Sequence, residues 1–173
     1  MRIYLRPVEL DDGLLIVKWR NTPCVSEHCM DHTPITLVSN EKFYHEKVET
    51  GKYIQYIVER IDEEYAAASY PIATCYLKDI DKINKRCELC IFTSDDQEWN
   101  TESQAIAIKM LVEKAFNELG MHKIYSYVFY KFLDESNLLR RSGFEIEAVH
   151  KSEVLSEEGV FEDVIRFSLI NQL

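Results

Sequence analysis

Residues 107–129, AIKMLVEKAFNELGMHKIYSYVF, change their hydrophobic period halfway, and that change decides the fold. Traced back to Thr101, the apolar positions Ala105, Ile108, Leu111, Val112, Ala115, Phe116 and Leu119 follow the 3.6-residue period of a helix buried along one stripe. Gly120 supplies the residue that can leave a helix in the left-handed conformation. From Lys123 the β-type run KIYSYVF takes over. The spacing therefore predicts a helix over 101–119 leading directly into a strand over 123–129.

Working outward, three stretches rich in β-branched and aromatic residues precede the helix: 53–60 (YIQYIVER), 70–77 (YPIATCYL) and 86–93 (RCELCIFT). Short polar segments separate them, as in an antiparallel meander. Ile3 and Leu5 alternate with polar neighbours and predict a first strand, followed by a helix over about 10–20. Residues 21–39 read as irregular, and Ser39 reads as the start of a second helix ending at Gly51. Beyond the central strand come a short helix over 133–142, stopped by Gly143, and strands over 144–149 and 160–169. The expected architecture is a single α/β (α+β) domain over 1–173, a mixed, mainly antiparallel sheet of six or seven strands with helices on both faces. No linker, repeat or low-complexity run divides the chain.

Composition narrows the function. Thirty acidic residues against twenty basic ones give a formal net charge of −10, the wrong sign for holding nucleic acid by its phosphates. No run approaches the roughly 18 apolar residues of a membrane helix, and the N-terminal residues lack the order of a signal peptide. A cytoplasmic protein with no membrane partner is expected. Five cysteines, an odd number without an export signal, are expected to be free thiols. Only five glycines occur, none between Gly51 and Gly120, and the nucleotide-binding patterns GxGxxG and GxxxxGK[ST] are absent, so ATP, NAD and flavin loops are excluded. No metal is expected. Cys87 and Cys90 point to opposite faces of one strand, and Cys24, His28, Cys29 and His32 match no zinc spacing.

Five phrases in order, LRPVELDDGLLIVKWRN, CELCIF, AIKMLVEKAFNELGMHKIYSYVF, SGFE and VFEDVIRFSLI, resemble the GNAT N-acetyltransferase superfamily, most closely its ribosomal-protein N-acetyltransferase-like (Rim-type) branch. The resemblance implies transfer of acetyl from acetyl-coenzyme A to a primary amine, on a small molecule or a peptide, by direct attack. It leaves a homodimer open. The alternative is a catalytically silent module of the same fold that binds a small molecule or a protein partner.

The family's pyrophosphate loop, of the form WGKGYGTEA in the branch resembled, corresponds here to WNTESQAIA, residues 99–107. Trp99, Thr101, Glu102, Ser103 and Gln104 would then lie at the cofactor, with the family's three glycines replaced by Asn100, Glu102 and Gln104. A carboxylate at Glu102 would repel a pyrophosphate by about 1–4 kcal/mol at contact, depending on hydration. Asn100 or Thr101 as a helix cap, with Glu102 in the first turn, accounts for the same residues as helix chemistry.

The resemblance also implies that backbone at Ile91, Phe92 and Thr93 meets the pantetheine. Glu88, at the family's common Glu, is the candidate general base, since an ammonium cannot attack a thioester until it loses a proton. Pairing with a basic neighbour is the structural account of the same residue. Ser136 and Asn137 lie one residue from the family's Ser, Leu139 stands at its thiolate-protonating Tyr, and Phe132 at its usual Asn. Tyr130 and Tyr127 are further candidates for acid or substrate contact.

Overall fold

Alternation along the strands sorts the chain into two faces of one sheet. In the computed structural model, which describes residues 2–62, 68–91 and 94–172, strands β1 (Ile3–Pro7), β2 (Ile54–Ile61), β3 (Ser69–Asp81), β4 (Arg86–Ile91), β5 (Lys123–Phe129), β6 (Glu145–Leu155) and β7 (Phe161–Ile170) form a seven-stranded sheet in the order β1-β2-β3-β4-β5-β7-β6. Every neighbouring pair is antiparallel except β4 and β5. That parallel pair is joined by the crossover helix α4 (Thr101–Glu113), which ends in a wide helical turn, Lys114–Glu118, and leaves through Gly120 at φ +65°.

Ala107, Ile108, Leu111 and Ala115 of this helical segment pack with Val58, Cys75, Leu77, Cys87, Leu89 and Ile124 of the sheet and with Leu138 and Leu139 of α5 (Leu133–Arg141). The opposite face carries a smaller core, Val8, Ile16 and Trp19 against Ile57, under α1 (Gly13–Arg20). Helices cover both faces. Arg6, beside the proline that ends β1, ties the strand to the start of α1 by two bonds to Asp12 (2.8 and 2.9 Å) and to β2 by one to Glu59 (3.1 Å).

The elements differ from the sequence reading mainly at polar ends. β3 runs four residues beyond 77 and bulges between Lys78 and Asp81, and β6 runs on to Leu155. Exposed strand ends carry no apolar alternation to read. The segment read as irregular contains a short helix, α2 (Pro23–Ser26), started by proline at its first position. α3 (Leu37–Phe43), continued by a wide turn over Tyr44–Val48, begins before Ser39 because Thr36 is the cap. Thr36 Oγ1 accepts from Ser39 N at 3.1 Å and Ser39 Oγ accepts from Thr36 N at 2.8 Å, so Ser39 closes the capping box instead of opening the helix.

Candidate active site

Pairing between the parallel strands stops after three residues: Arg86 with Lys123, Cys87 with Ile124, Glu88 with Tyr125. Beyond that point β4 and β5 diverge, and a cavity of about 270 Å³ occupies the opening. Because the gap interrupts the sheet, elements from both faces line the cavity. Gln104 of α4 and Leu138 and Leu139 of α5 border it on one side. Arg20, His28, Cys29 and Asp31, from the end of α1 and the segment after α2, border it on the other.

Glu88 stands at the fork, 6% exposed. Its Oε1 receives Lys78 Nζ, from the facing register position on β3, and Cys90 Sγ, both at 3.1 Å. Burial pushes the Glu88 carboxyl above its ordinary value even though Lys78 and Cys90 pull the other way. Lys78, which burial alone would lower, is held above its usual value by Cys90 and Glu88. The Cys90 thiol is raised well above its ordinary value by burial and then by the neighbouring Glu88 charge, so it behaves as a neutral donor. The pairing expected for Glu88 is thus present, but inside a cavity and not on an open sheet surface.

At the start of α4 the helix takes up its own donors. Asn100 Oδ1 accepts from Glu102 N (3.0 Å) and Ser103 N (3.3 Å), and Asn100 O accepts from Gln104 N (2.9 Å). Ser103, fully buried, returns the bond from Asn100 N at 2.9 Å and donates to Glu98 O at 2.6 Å. Thr101 and Glu102 are exposed, whereas Trp99 is buried in the main core beneath the helix start.

The structure brings Glu88, Ile91 and Gln104 to one cavity and Thr101, Glu102 and Ser103 to the adjoining helix start. Phe92 and Thr93 lie outside the described residues. Ser136 is buried, but its hydroxyl bonds its own helix at Phe132 O (3.1 Å), and Asn137 is on the exposed face of α5. Tyr130 is turned outward past the end of β5, 54% exposed, with Lys151 Nζ 5.6 Å from its ring centre, while Tyr127 lines the cavity. Phe132 stacks on His28 at 3.7 Å between ring centres, and His28 Nδ1 lies 2.5 Å from Glu135 Oε1. The other members of the Cys/His segment go elsewhere: Cys29 Sγ to Val25 O (3.3 Å) and His32 Nδ1 to Ser26 O (2.9 Å). Among the described residues no group of three or more such side chains could hold a metal ion.

Sequence reasoning missed Lys78, Arg20, Asp31 and Glu135 as cavity residues. Only the strand register brings Lys78 opposite Glu88, whereas Arg20 sits inside a phrase, KWRN, quoted for its family likeness alone.

The profile described as an acetyltransferase (GNAT) domain matches residues 2–145. A spermidine N-acetyltransferase from Vibrio cholerae, solved with CoA and spermine, superposes with a TM-score of 0.85 over 97% of this chain and 95% of that one, at 21% identity. A dodecameric spermidine N-acetyltransferase structure from the same organism, in an intermediate state, gives 0.79 over 97% and 93%, at 22% identity. Identity at this level shows a shared fold. No curated protein sequence matches the chain significantly.

Proposed function

The chain belongs to the GNAT acetyltransferase family, whose cosubstrate is acetyl-coenzyme A, and from that premise we propose that it acetylates a primary amine, on a small molecule or peptide, with Glu88 as general base. The observation that carries the reading is the fork between β4 and β5, with a buried carboxylate at its apex and a cavity lined from both faces of the sheet. The fork suits the pantetheine arm of the cosubstrate, whereas the N–H donors of Glu102 and Ser103 at the start of α4 are taken up by Asn100. β4 past Glu88 has an unpaired edge toward β5 for the amides of a pantetheine, and α4 begins beside the same gap. Leu89–Ile91 would hold the pantetheine arm, and Thr101–Gln104 would face the pyrophosphate.

Bound there, acetyl-coenzyme A supplies the thioester. Glu88 takes a proton from the incoming ammonium through Oε2, which carries no hydrogen bond from the described residues, both of its donors being on Oε1. The free amine attacks the thioester carbon, the carbon–sulfur bond breaks, the new amide nitrogen passes its second proton to the phenol that serves the leaving group, and the thiolate is protonated as it leaves. Tyr127, a phenol on the cavity wall, can supply that proton. Ser136, Asn137 and Tyr130 take no part in this scheme, because their side chains bond their own helix or face outward.

Two further points belong to the same reading. Five free thiols suit a reducing compartment, and we place the chain in the cytoplasm; no helix among the described residues is long and apolar enough to cross a membrane. Exposed Ile146, Val149 and Leu155 on the edge strand β6 offer a surface for a second copy.

The test is transfer from acetyl-coenzyme A to a panel of amines, read as thiol release, on protein whose assembly state is measured by sedimentation in the same buffer. Amine-dependent thiol release is expected. No release with any amine, together with no calorimetric binding of acetyl-coenzyme A, would return the silent-module reading.

A further inference from the structure

Two of the acidic side chains around the cavity have a basic or imidazole side chain in contact. Lys78 has Glu88 at 3.1 Å, and Glu135 has His28 at 2.5 Å. The Asp31 carboxylate is exposed and accepts from the backbone of Thr33 at 2.9 Å, which, with the charge of Arg20 acting from beyond contact distance, holds it below its ordinary value. Arg20 is left over. It is the last residue of α1, follows the buried Trp19, and is itself only 8% exposed. Its Nη2 donates to the main-chain carbonyl of Asp31, and its Nη1 is buried with no hydrogen-bond partner. Among the described residues no carboxylate oxygen lies within ion-pair distance of it.

A guanidinium carries five N–H donors in a planar fork that matches a carboxylate. Burying one with no carboxylate in contact and one nitrogen unpartnered is costly, and the cost is recovered when an anion docks on it. The pyrophosphate of coenzyme A belongs at the start of α4, across the sheet from α1, and the thioester end of the cosubstrate is uncharged. The anion must therefore come with the acceptor.

Resting on the acetyltransferase reading above, we infer that the acceptor is an amine that also carries a carboxylate, an amino acid or short peptide, with Arg20 binding the carboxylate while Glu88 receives the amine. A polyamine, which has only cationic groups, would set one of them against a guanidinium that has no carboxylate in contact. Arg20 is in this account a specificity residue that touches the acceptor and not the reacting atoms. Its effect belongs in affinity and KM, with kcat little changed.

The experiment needs no variant at first. Protein saturated with coenzyme A is titrated calorimetrically with lysine, 6-aminohexanoate and alanyl-alanine, each beside its C-terminal amide, and with spermidine. At least one carboxylate is expected to bind about tenfold or more tightly than its amide and than spermidine, the size of effect expected for a charge-assisted, bidentate contact. Arg20→Gln should abolish the difference, and Arg20→Lys, which keeps the charge in the event that the neutral variant folds poorly, should retain part of it. Equal binding of every acid and its amide, tighter binding of spermidine, or no binding by any of them overturns the inference. Acetyl transfer without a carboxylate preference would leave the proposed function standing and remove this assignment alone. A carboxylate preference in binding without any acetyl transfer would do the reverse.

Discussion

Glu88→Gln is expected to lower kcat by about 10²–10⁴-fold, the usual worth of a positioned general base, with little change in the affinity for acetyl-coenzyme A. Glutamine keeps the size of the side chain and can still accept from Lys78 and Cys90, so the local packing survives while the proton acceptor is lost. The pH profile gives a second signature. Burial raises the Glu88 pKa in the folded chain, so the carboxylate forms, and activity rises, at higher pH than for an ordinary glutamate. That limb should vanish in the variant. Stability moves in the opposite sense. A carboxyl raised on folding contributes stability that is complete below its unfolded value, near 4.5, and is lost as pH climbs through the folded value. Over that window the parent's melting temperature should fall relative to that of Glu88→Gln. Undiminished kcat in the variant would reduce Glu88 to a structural partner of Lys78.

The second large effect is a gain. Combining Asn100→Gly with Glu102→Gly should tighten acetyl-coenzyme A by about ten- to a hundredfold, or about 1.4–2.7 kcal/mol. Two causes act together. Removing the Asn100 side chain frees the Glu102 and Ser103 N–H groups that it now occupies, and a helix N-terminus with open donors is where a pyrophosphate binds. Removing the Glu102 carboxylate takes away a like charge, whose effect on this exposed turn is partly screened and should therefore weaken with salt. Glycine at the cap costs the helix only a few tenths of a kcal/mol, and glycine in the first turn about 0.5–1. Calorimetry should thus show tighter binding in a protein that melts slightly earlier, and the opposed signs separate the two effects. Glu102→Gln, which keeps a helix former, isolates the charge. Unchanged affinity in the double variant would mean that the cosubstrate does not lie on this turn.

Most of the fold could be read from the chain because its signals are local. The helix over 101–119 showed its stripe, Gly120 its exit, and the parallel pair followed from a helix set between two strands. The elements misjudged were those whose limits depend on polar atoms: the Thr36 cap, the single turn at Pro23–Ser26 and the outer halves of β3 and β6. The site was less legible for a different reason. Glu88 and the α4 start could be found from residue type and position, but Lys78 is set opposite Glu88 only by the pairing register of β3, and Arg20 and Glu135 arrive from distant helices. Tyr130 lies one residue past the end of β5 and is 54% exposed, a placement that strand alternation does not show in advance. The Rim-type branch likeness reached the family but not the acceptor, since acceptor chemistry is set by side chains from segments far apart in sequence.

The central claim is that the fork between β4 and β5 receives acetyl-coenzyme A. Hydrogen exchange with and without coenzyme A tests it most directly, because β4 beyond Glu88 has backbone facing an unpaired edge. Slower exchange at Leu89–Ile91 of β4, at Ser126–Val128 of β5 and at Thr101–Gln104 is the expected result. Protection confined to other segments, with these three unchanged in protein that demonstrably binds coenzyme A, would contradict it.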